Sequence, residues 1–212
     1  MVSVRRLGLG LALVAAACST SGSGTTTDGP APPSSQPSVV TMMNQGNSLE
    51  GHTPIGFAGT GTGLFVGDNL NPSFPDGDGV QTYMTFALPG GLTVDKALLG
   101  SDVLSVRGTP FDDLGVLLVE RVVYEQFGPQ LFDLAAIGPP SPCEVTDESS
   151  VVCDVTEIVA GAADEGRDVV QFRLRFERVA DNDGQADLAQ FYRSDVNTNE
   201  PGLFELTITG DS

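Results

Sequence analysis

The chain has 212 residues, with ten Lys and Arg against twenty-eight Asp and Glu, a formal net charge of −18. So negative a field repels phosphate backbones and anionic headgroups, which argues against nucleic-acid binding and against any lipid contact beyond a covalent anchor. A single histidine, three cysteines and no tryptophan narrow the available chemistry further.

At the N-terminus Arg5 and Arg6 precede the apolar run Leu7 to Val14, then Ala15, Ala16, Ala17 and Cys18. A basic start, a short apolar stretch and small residues before a cysteine make a bacterial lipoprotein signal peptide over residues 1–17, with Cys18 the expected site of diacylation and palmitate attachment. The uncharged stretch is too short to span a ~30 Å hydrocarbon layer as a helix, so the expected attachment is the lipid alone. A plain signal peptide with an incidental cysteine is the alternative. A twin-arginine signal fits poorly, since Val4 stands where a polar neighbour is usual. The chain is therefore expected to be exported and lipid-anchored to a bacterial membrane, facing periplasm or cell exterior.

Residues 18–38 are rich in Ser, Thr, Gly and Pro, with Asp28 the only charge, and read as a flexible tether. Residues 39–212 then make one domain. Early strand candidates are Val39 to Met43 and Leu64 to Val66. Asp76-Gly77-Asp78-Gly79 follows as an acidic turn. From Val80 to Leu88 apolar and polar residues alternate, with Val80, Thr82, Met84, Phe86 and Leu88 on one face, which predicts a half-buried strand closed by Pro89-Gly90-Gly91. Val94 to Val106 reads as a second strand region. Gly115 to Tyr124 reads as a third, apolar on both faces as a central strand would be.

Cys143 and Cys153 flank a segment rich in turn formers, and in an oxidising compartment they are expected to form a disulfide once Cys18 is lipidated. The CxxC spacing of a redox site is absent, and a zinc site lacks histidine partners because His52 lies far away in the sequence. Asp154, Glu157 and the apolar set Val155, Ile158, Val159 and Ala162 predict one short helix ending near Gly166. Val170, Phe172, Leu174 and Phe176 then alternate with Gln171, Arg173, Arg175 and Glu177. The last strand is expected over Leu203 to Thr209, with Phe204, Leu206 and Ile208 inward. Many short strands, twenty-six glycines and fourteen prolines predict an all-β fold, an antiparallel β-sandwich of jelly-roll type.

Two acidic loops suit calcium, which needs six to eight oxygen ligands. Asp181, Asp183 and Asp187 fall at alternate and four-residue spacing in the first; Asp76 and Asp78 form the second. Neither meets the EF-hand pattern, and solvated Asp/Asn/Gly turns are the competing reading.

The segments Leu64-Phe65-Val66-Gly67-Asp68, Gln81 to Phe86, Val94 to Leu98, Asp154-Val155-Thr156, Gln171 to Phe176, Asp181-Asn182-Asp183-Gly184 and Leu206-Thr207-Ile208 give a familiar layout. In that order the chain resembles the DNRLRE-type β-sandwich domains of secreted bacterial proteins, relatives of jelly-roll carbohydrate-binding modules, over about residues 60 to 210. The resemblance implies a carbohydrate- or cell-surface-binding module. It transfers no ligand residue, since such residues sit on variable loops.

Catalysis is not expected: no GxSxG elbow is present, and twenty-eight acids guarantee carboxylate pairs by chance. Sugar platforms usually stack on aromatic faces, for which Tyr83, Tyr124, Tyr192, Phe111, Phe127 and Phe191 are the candidates. The alternative to carbohydrate binding is a structural or assembly lipoprotein that docks another envelope protein.

Overall fold

Alternating side chains leave each strand an apolar face that has to be covered, and the chain covers it by curling one antiparallel sheet on itself. The computed structural model describes residues 38–43, 51–54, 59–60, 64–69, 79–102, 104–146, 149–191 and 204–211. These lie within one compact unit, Ser35–Ser212. The strands are β1 Ser38–Met43, β2 Gly51–Pro54, β3 Gly59–Thr60, β4 Leu64–Asp68, β5 Gly79–Ala87, β6 Thr93–Ser101, β7 Ser105–Arg107, β8 Leu117–Val122, β9 Ile137–Thr146, β10 Ser150–Asp154, β11 Val169–Phe176, β12 Asp187–Phe191 and β13 Glu205–Asp211. Two helices interrupt them, α1 Pro110–Asp113 and α2 Thr156–Asp164, with a 3-10 turn at Pro129–Leu131. The expected leader, Cys18, the expected tether up to residue 37, Asp76 and Asp78 of the acidic turn, and Tyr192 lie outside the described residues, whereas Ser38, read as the end of the tether, opens β1.

The pairing path runs β1-β13-β6-β10-β9-β8-β11-β5-β4-β12-β7, with β2 added beside β5 and β3 beside β2. All of these pairings are antiparallel. The all-β antiparallel fold is therefore as expected, but the sheet is a curled half-barrel and not two separate layers. The long strand β9 makes the difference. Its end near Cys143 pairs with β10, while Ile137, Ser141 and Pro142 pair with β8, so the two flanks stay hydrogen-bonded through it.

The core fills the concave side. Ala97, Leu99, Val151, Leu206 and Ile208 from one flank join Leu64, Val66, Met84, Phe86, Phe172, Leu174 and Phe176 from the other in one buried cluster. Phe191, at the end of β12, meets Phe204, just before β13, with ring centroids 4.8 Å apart, which ties the flanks directly. Each such side chain contributes about 1.5–3 kcal/mol by burial. The inward placement of Phe204, Leu206 and Ile208 matches the reading of the sequence.

Three expectations change. The region Val94 to Val106 is split: β6 joins β10 and β13, whereas β7 sits at the far end of the path beside β12. Residues Leu188 to Phe191, not foreseen as a strand, form most of β12. The strand β5 is not half-buried, because both of its faces are covered. Its second face lies under residues 123–136, where Tyr83, Val122, Tyr124 and Leu131 make a smaller core with Phe127 and Leu134 against it.

A polar network fastens that covering segment. The Tyr83 hydroxyl donates to the Leu131 carbonyl at 2.6 Å, and Arg173 Nη1 donates to the Leu134 carbonyl at 2.6 Å. Gln171 Oε1 accepts from the Tyr124 N–H at 2.9 Å. Glu120, 4 % exposed, accepts from Arg173 Nε and Arg175 Nη2, both at 2.7 Å. Burial pushes the Glu120 carboxyl up, but hydrogen bonds from Arg175 and Arg173, helped by their charge, outweigh it and hold the carboxyl below its ordinary range. On the neighbouring strand residue, Arg121 pairs in bidentate fashion with Glu165 at the end of α2.

The expected helix is present as α2, with Ile158, Val159 and Ala162 buried. Asp154 stands one residue ahead of the N-cap, Val155, and its Oδ1 accepts the Thr156 N–H at 3.1 Å. Gly166, at φ +67°, ends it, and its N–H donates to the Ala163 carbonyl at 2.8 Å. Cys143 and Cys153 are disulfide-bonded as predicted, but across a β-hairpin: they are direct register partners on β9 and β10, 4.2 Å apart at Cα.

Candidate functional site

Alternation on β6, β9 and β10 sends Ala97, Leu99, Cys143, Val151 and Cys153 inward and leaves Lys96, Leu98, Glu144, Val152 and Asp154 on the outer face. Leu98 and Asp154 are register partners, as are Val152 and Glu144, so the outward side chains stand side by side. Together with the first turn of α2 they line a groove of about 660 Å³. Its lining combines apolar Leu98, Val152 and Pro142 with the carboxylates of Asp95, Glu144, Asp154 and Glu157, and among the described residues Lys96 is its one basic member.

That lysine is already engaged. Lys96 Nζ lies 2.6 Å from Asp154 Oδ2, in an exposed pair. The Asp154 carboxyl is held down to about 2, first by the Lys96 hydrogen bond and then by the hydroxyl and N–H of Thr156. Thr156 Oγ1 in turn accepts the Ala97 N–H at 3.0 Å, which locks the α2 start onto β6. Asp154 is thus an anion at every physiological pH. Four carboxyl groups against one lysine give the groove an acidic character suited to an amine or guanidinium.

Among the described residues, the aromatic candidates do not gather at this groove. Tyr83 is fully buried and Tyr124 nearly so, in the smaller core with Phe127. Phe111 packs on Phe176 with ring centroids 5.3 Å apart, and Phe191 is in the main core. His52 is in β2.

The acidic loop after β11 is organised by its own side chains. Asp183 N–H donates to Asp181 Oδ1 at 3.1 Å, Asn182 takes φ +64°, and both oxygens of Asp183 accept from Gln185, each at 2.7 Å. The structure gathers Asp181 and Asp187 with Asp113, a carboxylate oxygen of each lying within 4.8 Å of the others, and Asp183 is outside that group. Asp113 was not foreseen in the sequence. The signal for it was Thr109-Pro110-Phe111-Asp112-Asp113, a proline at the first helical position with acids in the first turn, which marks the start of a short helix.

No protein-family model matches the chain, and no curated protein matches it.

Proposed function

We propose that this is a non-catalytic envelope lipoprotein, anchored through Cys18, whose β-domain docks a basic segment of another envelope protein in the groove on β6, β9 and β10. The observation that carries the reading is the groove itself: apolar and acidic side chains side by side, with no aromatic residue among the described residues that line it. An extended basic segment fits such a surface, placing aliphatic stems on Leu98 and Val152 and charged heads against Asp95, Glu144 and Glu157. The lipoprotein-like leader and the Ser/Thr/Gly/Pro-rich run read in residues 1–37 support a protein held at reach from a membrane.

The saccharide-binding reading rests on the resemblance to DNRLRE-type domains. It would use stacking aromatics, and the described tyrosines are instead packed inside. Docking is therefore the better supported of the two.

Crosslinking in native cells followed by mass spectrometry tests it. The expected result is one reproducible protein partner, with a basic segment crosslinked at the groove, lost in the Asp95→Asn/Glu144→Gln/Glu157→Gln variant and weakened by salt. Recovery of the same proteins with wild type and variant would refute the reading; a positive glycan array with no protein partner would replace it by saccharide binding. Intact mass of the host-derived protein checks the anchor, which requires a diacylated N-terminal Cys18.

A further inference from the structure

We propose that Asp113, Asp181 and Asp187 form a calcium site that pins α1 and the loop after β11 to the start of strand β12. The cluster draws on three separate places in the chain, and one carboxylate oxygen from each lies within 4.8 Å of the others. Oxygens that share one Ca²⁺ at ~2.3–2.6 Å stand up to about 5 Å apart, which accommodates this spacing.

A second observation points to a ligand. Asp187 is 2 % exposed; its Oδ1 accepts the Thr109 N–H at 2.6 Å, but its Oδ2 is shut off from solvent with no hydrogen-bond donor. A buried carboxylate oxygen left in that state destabilises the fold unless a cation reaches it. A further carboxylate stands beside the cluster: Asp68 is the register partner of Asp187 across β4 and β12, and its Oδ2 accepts the Asp181 N–H at 3.3 Å.

The backbone is shaped to bring Asp187 in close. Gly108, at φ +71°, passes so near that a Cβ there would stand 2.2 Å from Asp187 Oδ1, and one on Gly67, at φ +126°, would stand 2.1 Å from the Asp187 carbonyl oxygen. Arg178 Nη1 donates to the backbone carbonyl of Asp113 at 3.0 Å. Three carboxylates place the expected affinity near 10⁻⁴ M, in the range of extracellular calcium modules, so the site would fill outside a cell and empty inside one. The site uses no residue of the docking groove and stands or falls separately from it.

Thermal melting of the full chain, after chelator treatment and then with 10 mM CaCl₂ at matched ionic strength, tests the proposal. Calcium should raise the midpoint by roughly 5–10 °C. Asp113→Asn and Asp181→Asn, both at partly exposed positions, should each remove most of that shift, and Asp183→Asn should keep it. Calorimetric titration with CaCl₂ should give one site per chain. No shift with calcium, an equal shift with magnesium, or a shift that survives in the Asp113→Asn/Asp181→Asn double variant would each overturn the assignment.

Discussion

Replacing Glu120 by Gln removes the one negative charge between Arg173 and Arg175 while keeping the shape of the side chain. The Glu120 and Arg173 side chains are 5 % and 8 % exposed, and Arg175 is 24 % exposed, so the variant strands one guanidinium in a dry site and a second at its margin. Breaking a buried ion pair from one side costs about 3–5 kcal/mol. Water reaching Arg175, and the retained bond from Arg173 to the Leu134 carbonyl, place the cost at the lower end, near 3 kcal/mol. For a domain of this size 1 kcal/mol moves the melting midpoint by about 2–4 °C, so Glu120→Gln should melt roughly 6–12 °C below wild type. Lys96→Ala is the internal control: it breaks a pair whose partners are 53 % and 55 % exposed, worth under about 1 kcal/mol. Calorimetry or circular dichroism on both variants decides. If Glu120→Gln falls no further than Lys96→Ala, the buried network does not hold residues 123–136 on the sheet as argued.

The pH dependence of the same group has a definite sign. Because the folded carboxyl lies below its usual value of 4.5, its contribution is complete above that value and is lost as pH falls through the folded one. The wild-type midpoint should therefore drop more steeply than that of Glu120→Gln on acidification from about pH 5 to 3; parallel curves would count against it. Reducing the Cys143–Cys153 bond, or the double Ser variant, frees a ten-residue separation and should cost about 2–3 kcal/mol, read as a fall in denaturation midpoint with the β-sheet spectrum retained. Gly108→Ala should destabilise clearly more than Gly166→Ala. Both glycines have positive φ, costing an L residue about 1–2 kcal/mol, but only at Gly108 does the added methyl run into Asp187 and the Ala186 carbonyl. Equal losses would refute the close approach.

Local sequence pattern was enough to locate the alternating strands β5, β11 and β13, the strand β8 with apolar residues on both faces, the helix α2 with its glycine stop, and the cysteine pairing. Period two and period 3.6 are local properties, set within a few residues, and the count of cysteines left no other pair once Cys18 was assigned to lipid. Local pattern shows which residues share a face, but not what covers that face. Arg173 and Gln171 read as solvent-facing partners of Phe172, yet residues 123–136 fold over them, and only the tertiary structure supplies that lid with its Tyr and Leu anchors. The division of Val94 to Val106 between β6, inside one flank, and β7, at the far end of the path, and the crossing of β9 between the flanks, follow from long-range hydrogen-bond partners that no window of sequence contains. The same holds for the acids: spacing singled out Asp181, Asp183 and Asp187 in one loop, whereas folding turned Asp183 to Gln185 and brought in Asp113, 68 residues before Asp181, because carboxylates meet where backbones cross.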